Sequence, residues 1–305
     1  MKNIFLLLAL AFVVSCKPNV DPIDNSYIKL LEEGTGFIKF AKYEPFADKP
    51  VDIFYHIPEG IDMTTAPIVL VFHGMSRNAD DYRDYWISSA EKYNLMIFAP
   101  EFTDELYPSV SDANSLYNFG NMITYGQLNP REEWTFSMVN PIFDFIRLIT
   151  ASENEKFYMF GHSAGAQFVQ RCITFMPEVK TEVAVAANAG WYTVPDYDVD
   201  YPYGLKNSFL PADSLPKVFD RNVVILLGTA DTLRTSNLRQ SEEADLQGLT
   251  RYERGHYYFE ESMEYAGENG LTFRWTTTDV PDIGHSGSGM SVAAANLLFG
   301  DTISK

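Results

Sequence analysis

The sequence predicts an α/β fold: a mostly parallel, twisted sheet with helices on both faces. Three observations lead there. Continuous apolar runs such as PIVLVFHG (67–74) read as strands buried on both sides. These runs alternate with stretches whose apolar residues recur at helical spacing. One such run, FYMF (157–160), breaks directly into Gly161-His162-Ser163-Ala164-Gly165 and then into a helical pattern.

The elements follow in chain order. Lys2, then the apolar IFLLLALAFVV, then Val13-Val14-Ser15-Cys16 read as a secretory signal peptide over 1–15. The run falls short of the roughly 18 residues of a transmembrane span, and no later run reaches that length. A small residue directly before Cys16 resembles a bacterial lipobox. That resemblance implies cleavage before Cys16, lipidation of the cysteine, and an exported protein held to a membrane by this lipid alone. Residues 16–30, polar and proline-containing, read as a tether, and 31–305 as one α/β domain.

Within that domain, 36–41 and 51–58 alternate partially and read as an antiparallel hairpin. Strands are expected at 67–74, 95–100, 156–161, 182–190, 222–228 and 271–280. Helices are expected at 79–93, at 132–151 with a kink or split at Pro141, after Ser163, and at 286–299. Two connections are longer than such a sheet needs, 101–131 and 190–217. Both are rich in aromatic residues and leave the carboxyl ends of strands, where open α/β sheets bind ligands. They read as walls of a pocket.

Composition narrows the function. The formal charge is −18, with no Lys/Arg cluster, which argues against nucleic acid as a partner. The only cysteine besides Cys16 is Cys172, on the apolar stripe of a helix, so it reads as core and not as a nucleophile. No C-x-x-C, H-E-x-x-H, EF-hand, Walker or dinucleotide pattern is present, so neither a metal nor another cofactor is expected.

The chemistry concentrates at Ser163. Strand, G-x-S-x-G, helix is the context of a nucleophile elbow, in which glycines close the turn and the helix N-terminus faces the hydroxyl. The bland alternative is a tight strand–helix turn made of small residues. A serine needs a base, and five histidines are present. The chain order Ser, acid, His of this context leaves His256 and His285. His256 lies in a helical pattern and is expected to pack or to face solvent. His285, in VPDIGHSGSGM, follows the last strand and can reach the serine. Asp231, in VVILLGTADT, follows a core strand and is the expected acid. Asp282 lies on the histidine's own loop and reads as a turn residue. An oxyanion hole needs two backbone N–H groups. Ala164 supplies one, and Met75, in His73-Gly74-Met75, is the candidate for the other, with His73 bracing the loop. Tyr117, Phe119, Trp191 and Tyr192 are the candidate substrate-binding residues. Trp191 and Tyr192 serve equally well, at this point, as packing for their loop.

The segments VFHGMSRNADDYRDYW, FGHSAGAQFVQR, ANAGWYTVP, LLGTADT and GHSGSGM resemble the α/β-hydrolase superfamily, and within it the polyhydroxybutyrate depolymerase/feruloyl esterase-like serine hydrolases. The resemblance covers the chain from about residue 50 onward. It implies an α/β-hydrolase fold and cleavage of carboxylic esters through an acyl-enzyme, with Ser163, Asp231 and His285 as the triad. The expected partner is a small-molecule or polymer-derived ester, and the expected state is a monomer. Two other readings stay open: a serine peptidase or amidase using the same residues, and a surface lipoprotein that binds glycans through its aromatic loops.

Overall fold

The computed structural model describes residues 31–111 and 114–300. The signal peptide expected at 1–15, the tether at 16–30 and the lipid anchor at Cys16 lie outside the described residues. Among the described residues no helix is long and apolar enough to cross a membrane.

Strand β1 (Gly34–Phe40) pairs antiparallel with β2 (Val51–Ile57), so the expected hairpin forms, with Phe37 opposite Phe54. Strand β3 (Ile68–Phe72) is buried along its whole length. Two short helices follow, α1 (Ala79–Asp84) and α2 (Ile87–Tyr93), where the pattern suggested one. Trp86 sits at their join, fully buried, its ring 5.3 Å from Phe160, and the bend seats that indole on the sheet. After β4 (Met96–Glu101), the long connection folds on itself through two small ribbons. These are β5 (Ser109–Ser111) with β6 (Asn114–Ser115), and β7 (Ile123–Thr124) with β8 (Gln127–Leu128).

Helix α3 (Val139–Thr150) corrects the expectation for 132–151. Pro141 neither kinks nor splits it. The proline lies in the first turn, where a missing N–H leaves no helical bond unmade. Short 3-10 turns at 131–133 and 135–138 precede it. Strand β9 (Phe157–His162) leads through Ser163 into α4 (Ala164–Phe175), and every residue of α4 is buried. Then come β10 (Thr181–Ala187), α5 (Leu215–Phe219), β11 (Val223–Gly228), α6 (Glu242–Leu246), α7 (Arg251–Glu268), β12 (Thr276–Val280) and α8 (Gly287–Phe299). The expected strand at 271–280 pairs only from Thr276. Its first residues leave the sheet because Phe273 and Trp275 pack on Phe219, with ring centroids 5.5 and 5.3 Å away.

The main sheet runs β1-β2-β4-β3-β9-β10-β11-β12. The β1–β2 and β2–β4 pairs are antiparallel and the rest are parallel. Alternation along β3 feeds two cores. Ile68, Leu70 and Phe72 join Met159 and Phe168 on one face, while Val69 and Val71 join Trp86, Phe160 and Met290 on the other. That is why its sequence is an unbroken apolar run.

Parallel strands end at one edge, so the segments after β9, β11 and β12 meet there. Asn188, fully buried just past β10, stitches them together. Its Oδ1 accepts from Gly228 N (2.8 Å), and its Nδ2 donates to Gly284 O (3.3 Å). Its φ of 48° suits asparagine or glycine. Asn188→Gly keeps that backbone and deletes both bonds. It is expected to lower unfolding free energy in urea by about 1–3 kcal/mol. A loss under about 0.5 kcal/mol, the size of an ordinary surface change, would show that the stitch carries little stability.

Candidate active site

Ser163 sits between β9 and α4 with φ 57° and ψ −116°, a region that costs a non-glycine residue on the order of 1–3 kcal/mol. Neighbouring bonds hold it there: Ser163 N donates to Ala187 O (3.0 Å), and Gln167 N donates to Ser163 O (3.1 Å). Both flanking glycines are sterically required. A Cβ on Gly165 would run into the carbonyl of Phe72 on β3, and one on Gly161 would strike the carbonyl of Gly165. Helix and strands therefore approach at backbone contact, and the serine hydroxyl is left projecting at the sheet edge.

The structure brings Asp231, His285 and Ser163 together. His285 Nδ1 lies 2.7 Å from Asp231 Oδ2, and His285 Nε2 lies 3.1 Å from Ser163 Oγ. A carboxylate only accepts, so Nδ1 carries the proton and Nε2 offers its lone pair to the serine hydroxyl. Asp231 is 2 % exposed, while the His285 ring is about one-third exposed. Two bonds tie the acid's loop to the histidine's loop: Ala230 N donates to Ile283 O (3.0 Å), and Asp282 N donates to Thr229 Oγ1 (3.0 Å). Asp282 itself is exposed at φ 62°, a turn position, and its role here is played by its backbone. His256 sits elsewhere, on α7, paired with Asp279 at 3.0 Å. Such an arrangement can pass a hydroxyl proton to a held imidazole, which is what an alcohol needs to become a nucleophile at neutral pH.

Two other histidines shape the site without offering a base. His73 is fully buried. Its Nδ1 lies 3.0 Å from Gly74 O, and its Nε2 accepts from Phe102 N at 3.0 Å. Burial pushes its pKa down to about 3, so it stays neutral and braces the Gly74-Met75 turn. His162 packs its ring 4.6 Å from that of His285 and bonds Tyr82 Oη at 2.8 Å. Burial first, then repulsion from His285 and Arg251, holds its pKa well below the usual histidine value. Met75 and Ala164 both border the cavity beside Ser163. Ala164 opens α4, so its N–H is one of the helix's unpaired donors.

That cavity measures about 210 Å³ and is bordered by Met75, Phe119, Ser163, Ala164, Gln167, Trp191, Arg239 and Arg251, among others. Of the four aromatic candidates, Phe119 and Trp191 line it. Tyr117 and Tyr192 do not, because both are fully buried in the core. Tyr117 donates to His73 O (2.7 Å) and so supports the Met75 turn from behind. Tyr192 stacks on Tyr258 with centroids 4.6 Å apart, and Gln247 brackets its backbone at 2.9 and 2.8 Å. Arg171 of α4 lies fully buried with its guanidinium over both wall residues, 4.5 Å from the Phe119 ring and 4.3 Å from that of Trp191. Burial lowers its pKa only to about 10, so it remains a cation.

Sequence reading missed Arg171, Arg239, Arg251 and Asn188. Arg239 and Arg251 lie far along the chain from Ser163; Arg171 and Asn188 lie near the serine's motif, but no spacing announces which way their side chains point. A larger groove of about 700 Å³ at Trp134, Phe175, Phe209 and Arg221 contains none of the three hydrogen-bonded residues. Among the described residues no cluster of three or more His, Cys, Asp or Glu could hold a metal. Cys172 is buried and free, and burial pushes its thiol pKa up.

No family model and no curated protein matches the chain. Solved structures do. Poly(aspartic acid) hydrolase-1 from Sphingomonas sp. KT-1 is 39% identical, with a TM-score of 0.82, over 88% of this chain and 99% of that one. The poly(3-hydroxybutyrate) depolymerase LpqC from Bordetella parapertussis is 36% identical, also with a TM-score of 0.82, over 88% and 90%. An S-formylglutathione hydrolase from Agrobacterium tumefaciens shares the fold at 16% identity, with a TM-score of 0.54, over 88% and 95%. At 39% and 36% identity over 88% of this chain, both with a TM-score of 0.82, the first two relatives share the fold along nearly its whole length. The chain therefore belongs to the polyhydroxybutyrate depolymerase-like family of α/β-hydrolase-fold serine hydrolases.

Proposed function

We propose that the protein hydrolyses carboxylic esters through a Ser163–His285–Asp231 triad and an acyl-enzyme. The observation that carries the reading is the unbroken path from Asp231 Oδ2 through His285 to Ser163 Oγ, at 2.7 and 3.1 Å, beside a cavity. In the first half-reaction His285 Nε2 takes the Ser163 proton while Oγ attacks the ester carbonyl. The Met75 and Ala164 N–H groups receive the developing oxyanion. His285, now an imidazolium stabilised by Asp231, protonates the leaving alkoxide. Water then repeats the sequence through the same base and frees the acid and Ser163. Phe119 and Trp191 wall the acyl pocket, with the Arg171 guanidinium set behind both rings.

A second reading, amide hydrolysis by the same residues, is favoured by the likeness to a poly(aspartic acid) hydrolase, whose polymer is amide-linked. The likeness to a poly(3-hydroxybutyrate) depolymerase favours the ester reading, since that polymer is an ester. Rates on one acyl group presented as an ester and as an amide separate the two. The protein is further proposed to be an exported lipoprotein that works as a monomer on small or polymer-derived substrates, held to a membrane through Cys16.

Ser163→Ala is expected to lower ester turnover by roughly 10⁴ or more and to abolish labelling by a fluorophosphonate probe. A wild-type protein that takes no label would favour glycan binding over catalysis. Asp231→Asn is expected to cost about 10⁴ in turnover while the protein still folds, the size known from the equivalent change in a serine protease. Asp282→Asn is expected to leave turnover near wild type. The reverse order in saturating assays would move the acid to Asp282. Cys16→Ser is expected to shift the protein from the membrane to the soluble fraction, and unchanged partition would exclude the lipid anchor.

A further inference from the structure

The chain carries 41 acidic against 23 basic residues, yet the cavity beside Ser163 is bordered by two arginines and, among the described residues, by no carboxylate. Arg251 is the sharper observation. It is 3% exposed, and its contacts are long. Nη1 lies 3.5 Å from Asp231 Oδ1, and Nη2 lies 3.4 Å from Asn237 O. Its Nε is buried with no hydrogen-bond partner. A buried guanidinium left so incompletely bonded is costly unless something else completes it. Burial works against its charge and Asp231 supports it. Asp231, however, already gives its other oxygen to His285.

Arg239 borders the same cavity, where its Nε donates to Tyr203 Oη and its guanidinium lies 5.7 Å from the Trp191 ring, so a ligand would share it with these partners. Arg171 adds a third cation behind the two aromatic walls. Arginine is the side chain suited to a carboxylate, which it meets with parallel N–H donors. The cavity also has a side. It touches the two oxyanion candidates, Met75 and Ala164, and His285 does not border it. The leaving group must stand at His285, which protonates it, so the cavity takes the acyl part. Its 210 Å³ hold about seven non-hydrogen atoms at the volume of liquid water, the size of a succinyl group.

We propose that this cavity is a carboxylate subsite in which Arg251 and Arg239 bind a second carboxylate on the acyl group, so that the substrates are esters of short dicarboxylic acids. The assignment of the acyl side rests on the esterase reading; the anion site itself does not. Arg251 then has two tasks. It pairs with Asp231 when the cavity is empty, and it gains the substrate carboxylate when the cavity fills.

The test compares monomethyl succinate with methyl 4-oxopentanoate, which replaces the carboxylate by a methyl ketone of the same length. Binding is measured by calorimetry on the full chain carrying Ser163→Ala, where no turnover intervenes. The charged ester is expected to bind at least about tenfold more tightly, the discrimination of one or two charge-assisted hydrogen bonds. Adding Arg251→Gln or Arg239→Gln is expected to bring the ratio toward one, with Arg251→Lys retaining part of it. Equal binding of the two esters, or a ratio that neither glutamine variant changes, overturns the subsite. Should Arg251→Gln fail to fold, the Arg239→Gln ratio decides. Turnover of the same pair by the protein with Ser163 intact is read separately. Selective binding without ester turnover leaves the subsite standing and removes the esterase reading, whereas turnover of both esters with equal binding does the opposite.

Discussion

The structure depends on one close approach, that of α4 to the strands beneath it at Gly161 and Gly165. Because neither residue carries a Cβ, the helix backbone rests against the carbonyl of Phe72, and the turn between β9 and α4 has only the strained conformation of Ser163 left to it. That contact sets where the hydroxyl stands and aims the first N–H groups of α4 at the same point. It also brings the Gly74-Met75 segment, which follows Phe72, alongside the serine. A bulkier residue at either glycine would lift the helix, and Ser163, the first N–H groups of α4 and the cavity beside them would move with it.

Around that fixed point the site is assembled from loops that have no regular pairing of their own. They are held by buried polar groups: Asn188 between β11 and the His285 loop, His73 between Gly74 and Phe102, and Gln247 across the backbone of Tyr192. Each satisfies backbone groups that would otherwise be buried unpaired at the end of a strand. The long connections expected to form pocket walls border this cavity at Ser109, Asn118, Phe119, Gly190 and Trp191, and the two aromatic rings among these are oriented by the Arg171 cation set between them. Tyr117 instead holds the His73–Gly74 turn, and Tyr192 stacks on Tyr258 in the core. An arginine stacked on two rings is a rigid brace, because the guanidinium loses little freedom that the rings had not already removed.

Charge is distributed unevenly. The chain is acidic overall, while three arginines stand near the site, Arg171 and Arg251 buried and Arg239 half-buried. Asp231 stands at the centre of this cluster, with one oxygen on His285 and the other facing Arg251. The carboxylate bonded to His285 is thus electrostatically joined to an arginine that borders the cavity.

Much of the architecture was legible in the sequence, because burial on both faces writes an unmistakable pattern. The runs at 68–72, 157–160 and 223–227 are apolar at every position, and such a run between helical stretches reads as a parallel strand. Ser163 was legible for a local reason, since a turn that tight needs glycines two residues either side. Asp231 and His285 could be named because they follow strands in a fixed chain order. Other features depended on neighbours distant in sequence. The break at Trp86 and the departure of Phe273 and Trp275 from the last strand were decided by packing against residues that no local window contains. The same holds for the cavity. The sequence by itself determined the order of strands and helices and the serine's turn, since backbone sterics and burial periodicity act over a few residues. Only the tertiary structure decided which aromatics face the cavity and that Arg239 and Arg251 border it, because side-chain direction and charge proximity arise where segments far apart in the chain meet.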